Sequence, residues 1–403
     1  MNRFLKAVFF AVLILLSLDV VARLALFLMG TDGAHSGAFK SDQFLSETQK
    51  NALRKLLRME AEYLEFCPDL GWTIRPHGCR GQYSANSRGL RGESEHASHP
   101  TGELIRVACF GDSFTHCDGV KDDDTWQAYL SRERPLLEVL NFGVSAYGLD
   151  QSFLRYLREG VSRRPHIVLI GFMSENIGRT VNVFRPFYVR ETQVPMTKPR
   201  YTIANGQLVL HENPVRELSQ YAQLIENPAA VLPALGVHDA FYETFSREGA
   251  SHTLATHRLL DLVVRRCTDR DTAGRDSWYR ETSEAFRVTT AIFDAFVTTV
   301  RQNGTIPIVV VFPDGADLRA HRTGGPVCYA PLLEHVERRQ YRHIDVLGGF
   351  DRYAADVPVR ELIPLHYSAR GNAIVARCIS EYLEKNDLLG HDVAGALARP
   401  LHP

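Results

Sequence analysis

Short apolar segments alternate with helical segments after residue 104, and this rhythm constrains the fold more than any other feature of the chain. The candidate strands cover residues 105–110, 137–142, 166–172 and 306–312. Each is apolar almost throughout, which is typical of strands that are covered on both faces. The candidate helices cover 124–132, 150–162, about 279–303 and 368–386. The alternation predicts an α/β fold in which helices wrap both sides of a mostly parallel sheet.

Residues 180–275 do not follow this rhythm, and we interpret them as an insertion into the α/β core, with a hairpin around Asn205-Gly206. Before the core, residues 31–45 are typical of a linker, and residues 46–66 carry a helical apolar stripe that Ser46 can cap. The predicted organisation is an N-terminal membrane segment (1–30), a linker, helix and preamble (31–100), the α/β domain (101–390) and a tail (391–403).

The N-terminal segment from Ala7 to Met29 is 23 residues long, or roughly 34 Å as a helix, enough to span a bilayer. Asp19 and Arg23 interrupt it, but their i, i+4 spacing lets them pair. We favour an uncleaved signal anchor. A cleaved signal peptide is the alternative, because the apolar stretch is short and Val20-Val21-Ala22 is an acceptable cleavage site.

The charge balance argues against a nucleic-acid partner. The chain has 46 basic and 47 acidic residues, so no basic excess is available to neutralise phosphates. The seven cysteines are an odd number, which leaves at least one thiol free. Cys67–Cys79 is a plausible disulfide in an oxidising compartment, whereas Cys109 and Cys378 lie in apolar patterns typical of buried thiols.

One candidate reactive group follows the first strand of the core, in "CFGDSFTHCDG" at residues 109–119. Ser113 comes directly after Gly111-Asp112, where a loop leaves the carboxyl end of a strand, the usual ligand-binding edge of such sheets. A helix-capping serine explains the same local pattern. His366, in "LHYSARGN", lies before a helix that Ser368 can cap, a place where a structural histidine is also ordinary. Local sequence leaves both assignments open.

Together these stretches resemble the SGNH/GDSL hydrolase superfamily, in particular its membrane-anchored bacterial members. Four blocks occur in the family's order: Gly111-Asp112-Ser113, "NFGVSAYGLDQ", "IGFMSENIGR" and "LHYSARGN", preceded by "LGWTIRP…YSANSRGLRG". The resemblance implies a three-layer α/β/α, flavodoxin-like domain. It also implies that Ser113 is the nucleophile and His366 the general base, with no cofactor.

The resemblance further implies an oxyanion hole made of the Ser113 N–H, the Gly143 N–H and the Asn176 side-chain amide. The chain departs from the family at one position, because Ile363 stands where an aspartate precedes the histidine by three residues. Glu361 is our candidate for the missing acid.

Asp345 and Asp351 are more distant alternatives for that acid, and a Ser–His dyad is another. Arg179 is a candidate for binding an anionic or sugar substrate, although a surface arginine without a function fits equally well. His116, Cys117 and Asp118 are too close in sequence for a metal chelate, so we predict no metal site.

The function that follows is an extracytoplasmic serine esterase acting on O-acetylated carbohydrate through an acyl-enzyme. One alternative is an O-acyltransferase that modifies a cell-surface polysaccharide, and another is a non-catalytic SGNH-fold protein in polysaccharide assembly. Arg3 and Lys6 predict that the N-terminus is cytoplasmic. The protein would then be held in the bacterial inner membrane by one span, with its domain facing the periplasm or exterior.

Overall fold

The computed structural model describes residues 17–25, 44–190, 192–251, 256, 259 and 275–390. The strands are β1 (Leu64–Cys67), β2 (Gly71–Ile74), β3 (Cys79–Arg80), β4 (Tyr83–Ser84), β5 (Ile105–Phe110), β6 (Leu137–Asn141), β7 (Ile167–Met173), β8 (Arg200–Ala204), β9 (Gln207–His211), β10 (Ile306–Phe312) and β11 (His343–Asp345).

Residues 17–25 are helical. The later helices are α1 (Glu47–Leu57), α2 (Ser113–His116), α3 (Trp126–Glu133), α4 (Leu149–Arg155), α5 (Asn176–Arg179), α6 (Gln220–Glu226), α7 (Pro228–Gly236), α8 (Tyr242–Ser251), α9 (Glu284–Gln302), α10 (Gly315–Arg322), α11 (Ala330–Arg338), α12 (Leu347–Ala354), α13 (Val359–Leu362) and α14 (Ala369–Lys385).

The predicted α/β fold is confirmed. Five parallel strands form one sheet in the order β11-β10-β7-β5-β6. Counted from β5, this is the flavodoxin-like order 2-1-3-4-5. The four predicted strands are all present, whereas β11 was missed because it is only three residues long. The connections diverge between β5 and β7, so the loops that follow these two strands flank the switch point where ligands bind in such sheets.

The sheet is buried between helices. Every residue of β5, β7 and β10 is buried, as expected for strands covered on both faces. Helix α9 packs with α4, while α14 packs with α3. Both helical groups and the sheet share one apolar core.

A second apolar core lies beside the first. It joins residues between 44 and 85 to residues between 184 and 245, so the insertion packs against the preamble. Val144 and Tyr147, in the loop after β6, belong to this second core. The predicted hairpin is confirmed: β8 and β9 pair antiparallel across Asn205 and Gly206, both with positive φ.

The segment predicted as a helix over 46–66 is a helix only to Leu57. Ser46 caps it, accepting a hydrogen bond from the Gln49 N–H at 3.3 Å. The helix cannot continue because Met59 has a left-handed φ of 59°, and β1 then pairs antiparallel with β2.

The N-terminal and cysteine predictions are only partly covered by the described residues. Asp19 and Arg23 form the predicted pair at 2.9 Å. Within the described residues, no helix is long and apolar enough to cross a membrane. The remainder of the 7–29 segment, the tail at 391–403 and most of 252–274 lie outside the described residues.

The six cysteines that the structure describes are free thiols, so the expected Cys67–Cys79 disulfide is not formed.

Candidate active site

Ser113 begins the short helix α2 directly after β5. The Asp112 carboxylate caps this helix by accepting the Phe114 N–H at 2.9 Å. The Ser113 side chain is at the N-terminus, with 4% of the residue exposed. The Phe114, Thr115 and His116 N–H groups all donate to Asp112, whereas the Ser113 N–H has no acceptor among the described residues and is available to a developing oxyanion.

Close packing beneath α2 explains why residue 111 is a glycine. A Cβ on Gly111 would overlap the Thr115 side chain and lie 3.1 Å from the Gly171 carbonyl oxygen of β7. Thr115 itself is buried, with its hydroxyl unpaired. Glycine at 111 is needed because the helix lies almost directly on the sheet.

The loop after β6 contacts the same helix. The Val144 N–H donates to the Gly111 carbonyl at 3.1 Å. A Cβ on Gly143 would overlap the His116 N and lie 2.6 Å from the Thr115 carbonyl carbon. Glycine is therefore required at position 143 for the loop to contact α2.

The Gly143 N–H already has a partner, because it donates to the Asn141 side-chain oxygen at 2.9 Å. Its predicted place in the oxyanion hole stays a prediction. Three residues later, Ala146 is half-buried with a left-handed φ of 66°, and its N–H has no acceptor among the described residues. Ala146 lines a shallow surface depression together with Trp72 and Arg179.

The loop after β7 brings Asn176 and Arg179 to this edge of the sheet. Both lie on α5 and both are buried. The Asn176 side-chain oxygen is buried without a partner, and its amide nitrogen makes no hydrogen bond to any described residue. An amide with unused donors at this place is compatible with its predicted oxyanion role, which stays a prediction.

Arg179 connects the loops after β5, β6 and β7 by hydrogen bonds. Its guanidinium donates to the Asp112 carboxylate at 3.2 Å, to the Tyr147 carbonyl at 2.9 Å and to the Glu175 carboxylate at 2.7 Å. Burial favours neutral Glu175, but Arg179 and Arg185 overcome it and hold the pKa of that carboxyl well below its usual range. Arg179 thus braces the site in this structure, and its binding of substrate stays a prediction.

His366 lies near the C-terminal end of the domain's sequence and contacts the helix that begins at Ser113. It precedes α14, and its ring lies 5.3 Å from the Phe114 ring, centroid to centroid. Phe114 also packs edge-on against Tyr367 at 4.8 Å, and the Tyr367 hydroxyl donates to the Pro313 carbonyl after β10. The structure therefore brings the residues after β5 and before α14 into contact, as the resemblance implies.

The His366 imidazole is not hydrogen-bonded to Ser113 or to any other described residue, a looseness common in sites without a ligand. Burial lowers the pKa of His366 below 6.5, and the Asp118 and Asp112 carboxylates oppose that shift. A histidine that is neutral at pH 7 is in the correct state to accept the proton of a serine hydroxyl.

The acids considered for the missing triad position make no hydrogen bond to His366 among the described residues. Glu361 is exposed on α13, and the described residues offer its carboxylate no hydrogen bond or ion pair. Asp345 accepts the Leu347 N–H at 3.0 Å and the Tyr329 hydroxyl at 3.2 Å. Asp351 pairs with His321 at 2.7 Å. Glu361 as the triad acid stays a prediction.

A buried polar cluster next to the nucleophile helix was not foreseen. The Tyr63 hydroxyl lies 2.6 Å from Nε2 of His116, and Nδ1 of His116 lies 2.5 Å from the Asp118 carboxylate. These partners assign the tautomer that carries the proton on Nδ1. Burial lowers the pKa of His116, which keeps the ring neutral. Sequence gave no signal for this cluster, because Tyr63 comes from the preamble, 53 residues away.

Comparisons with known proteins find similar solved structures but no matching family model or curated sequence. No protein-family model matches the chain, and no curated protein matches it. Among solved structures, it is similar to a G-D-S-L family lipolytic protein from Desulfitobacterium hafniense (14% identity, TM-score 0.33, covering 70% of this chain and 100% of that one). It is also similar to an α/β hydrolase from the Lake Arreo metagenome, with 13% identity and a TM-score of 0.37, covering 73% of this chain and 96% of that one. A third similar structure is an acetylxylan esterase from Geobacillus stearothermophilus, with 12% identity and a TM-score of 0.36, covering 70% of this chain and 95% of that one. The strand order β11-β10-β7-β5-β6 is the flavodoxin-like order that the resemblance implies.

Proposed function

We propose that this protein is a serine esterase that releases acyl groups from O-acetylated carbohydrate. The observation that carries the proposal is that three other segments contact α2 and its capping residue. Gly143 packs against the α2 backbone, Arg179 donates a hydrogen bond to Asp112, and the His366 ring packs against Phe114. A serine at a helix N-terminus, a neutral histidine and unused amide donors are the parts that acyl transfer requires.

In the proposed mechanism, the Ser113 hydroxyl loses its proton to His366 as its oxygen attacks the ester carbonyl. Hydrogen bonds from the Ser113 N–H and the Asn176 side-chain amide stabilise the negative charge that develops on the carbonyl oxygen. The loop after β6 would supply a further N–H, either from Gly143 or from Ala146. His366 then protonates the leaving alcohol, and water attacks the acyl-enzyme with His366 again acting as the base.

The direct test measures acetate release from acetylated xylan and from p-nitrophenyl acetate. We expect Ser113→Ala and His366→Ala to lower kcat by about 10³-fold or more, with little change in the thermal unfolding midpoint. Ser162→Ala and His321→Ala are matched controls on the exposed surface and should retain full activity.

A phosphonate probe separates the enzyme from a non-catalytic binding protein. Intact-mass analysis should find one adduct on the wild type and none on Ser113→Ala. No adduct on folded wild-type protein would count against catalysis by Ser113. Adding a second, non-acetylated glycan distinguishes hydrolysis from transfer, because an acyltransferase would form acetylated acceptor at the expense of free acetate.

The N-terminal segment is the basis for a proposal about where in the cell the protein is located. We infer that residues 7–29 anchor the chain in the inner membrane with the α/β domain outside the cytoplasm, because Arg3 and Lys6 precede the apolar stretch. In cells that express the full chain, the protein should sediment with membranes and be digested by protease added to spheroplasts. Protection of the domain from that protease would contradict this topology.

A further inference from the structure

Asp118 lies in the loop that follows the nucleophile helix, and the backbone ties it to Ser113. Its N–H donates to the Ser113 carbonyl at 2.9 Å. The preceding residue, Cys117, ends α2 with a left-handed φ of 66°, which turns the chain back towards the helix. The Gly119 N–H donates to the Tyr83 hydroxyl at 2.7 Å, so the preamble holds the other side of the loop.

The Asp118 carboxylate is held by one of its two oxygens. Its Oδ1 accepts the Ser145 hydroxyl at 2.7 Å and the Nδ1–H of His116 at 2.5 Å. Its Oδ2 has no hydrogen bond to any described residue, and the side chain is 19% exposed. One oxygen therefore fixes the position of the group, while the other is available to the site.

Asp118 and His366 both contact α2, because the Asp118 N–H donates to the Ser113 carbonyl and the His366 ring lies 5.3 Å from the Phe114 ring, centroid to centroid. Among the charged groups around the His366 imidazole, Asp118 does most to raise the pKa of His366 against the effect of burial. Asp112 and Glu175 also raise this pKa, whereas Arg179 lowers it. The influence is mutual, since His366 helps to lower the pKa of Asp118, together with His116 and Ser145 and against the effect of burial. Ile363, the family's acid position, supplies no charge at all.

We propose that Asp118 is the positioning residue that replaces the missing triad acid and stabilises the imidazolium formed on His366. The inference rests on the esterase function proposed above. When Ser113 transfers its proton to His366, a positive charge appears in a buried place, and a fixed carboxylate stabilises it most where water is scarce. Asp118 does so through its charge, without the direct carboxylate–imidazole hydrogen bond of the family's triad.

Asp118→Asn is a clean test because the amide oxygen can still accept from Ser145 and His116. We expect kcat/KM for p-nitrophenyl acetate to fall on the order of 10²-fold, with KM little changed. The acid limb of the pH profile, which lies below pH 6.5 in the wild type because burial lowers the pKa of His366, should move to still lower pH. Asp118→Glu should restore part of the rate.

Glu337→Gln is the matched control, because it neutralises an exposed carboxylate on α11, and it should leave both the rate and the pH profile unchanged. A fall in the rate of Glu361→Gln with an unaltered rate in Asp118→Asn would instead favour the rival carboxylate on α13. The His366 pKa, followed in Asp118→Asn and in the wild type by NMR of labelled histidine, gives a readout that needs no turnover. It should be lower in the variant.

The outcomes separate the inference from the proposed function. Wild-type activity that depends on Ser113, with an unaltered rate in Asp118→Asn, would overturn the role of Asp118 and leave the esterase standing. A slower variant whose acid limb and His366 pKa do not move would show a merely structural role and also overturn it. If no Ser113-dependent activity exists, the proposed function fails, and an unshifted His366 pKa would independently exclude the coupling.

Discussion

At the residue scale, Ile363 has the largest consequence for the site. Its side chain is 3% exposed and belongs to the main apolar core, so the family's acid position is occupied by a packing residue here. An aspartate there would place a carboxylate in the apolar core in which Ile363 packs.

We expect Ile363→Asp to lower the free energy of unfolding by about 2–5 kcal/mol and to leave kcat/KM no higher than in the wild type. Urea unfolding followed by circular dichroism gives the first quantity, and p-nitrophenyl acetate hydrolysis gives the second. Ile363→Leu keeps the side chain's volume and should cost less than about 1.5 kcal/mol. A stable Ile363→Asp variant with higher activity would show that the site still uses this position.

At the element scale, the β1–β2 hairpin supports the loop after β6. The Trp72 indole N–H donates to the Ser145 carbonyl at 3.0 Å, and the Tyr147 hydroxyl donates to the Trp72 carbonyl at 2.6 Å. This hairpin from the preamble therefore positions the loop that carries Ser145 and Ala146, although it lies outside the sheet domain.

Trp72→Phe removes the indole donor and leaves the Ser145 carbonyl unpaired, which should cost about 1–3 kcal/mol of stability. Because the released loop contacts α2, we also expect kcat to fall about tenfold at a temperature where the variant is folded. Tyr353→Phe also removes one hydrogen bond, to Glu381 far from the site, and serves as the comparison. Equal losses of kcat in the two variants would argue against a positioning role for the hairpin.

At the scale of the whole molecule, two apolar cores meet at the active site. The sheet core holds α2 and His366 through Phe114, whereas the second core holds the loop after β6 through Val144 and Tyr147. Activity should therefore depend on both cores, while most of the helix and strand content depends on the sheet core alone.

Leu53 is fully buried in the second core, and Leu53→Ala should destabilise that core by about 2–5 kcal/mol. In urea, we expect this variant to lose esterase activity before it loses its far-ultraviolet circular dichroism, because the second core opens first. Val310→Ala, in the sheet core, should lose both signals together. Coincident loss in Leu53→Ala would show that the two cores unfold as one unit.

The sequence by itself determined the α/β class, the four longer strands and the candidates Ser113, Asn176 and His366. Continuous apolar strands and helical periodicity are local patterns, and in a parallel sheet the loops after the strands necessarily share one edge. Strand β11 escaped detection because three residues carry no periodicity. The end of α1 at Leu57 depends on the left-handed backbone at Met59 and on the β1–β2 pairing that follows.

Only the tertiary structure decided what surrounds the reactive groups. The contact of Gly143 with α2, the bracing of Asp112 by Arg179, and the joining of Tyr63, His116 and Asp118 all link segments that are distant in the chain. The charge that a histidine experiences depends on burial and on distances to carboxylates from other loops, and no local pattern encodes these quantities. The sequence shows that an acid is absent at Ile363, whereas only the fold, which ties Asp118 to the Ser113 carbonyl, led us to propose Asp118 in its place.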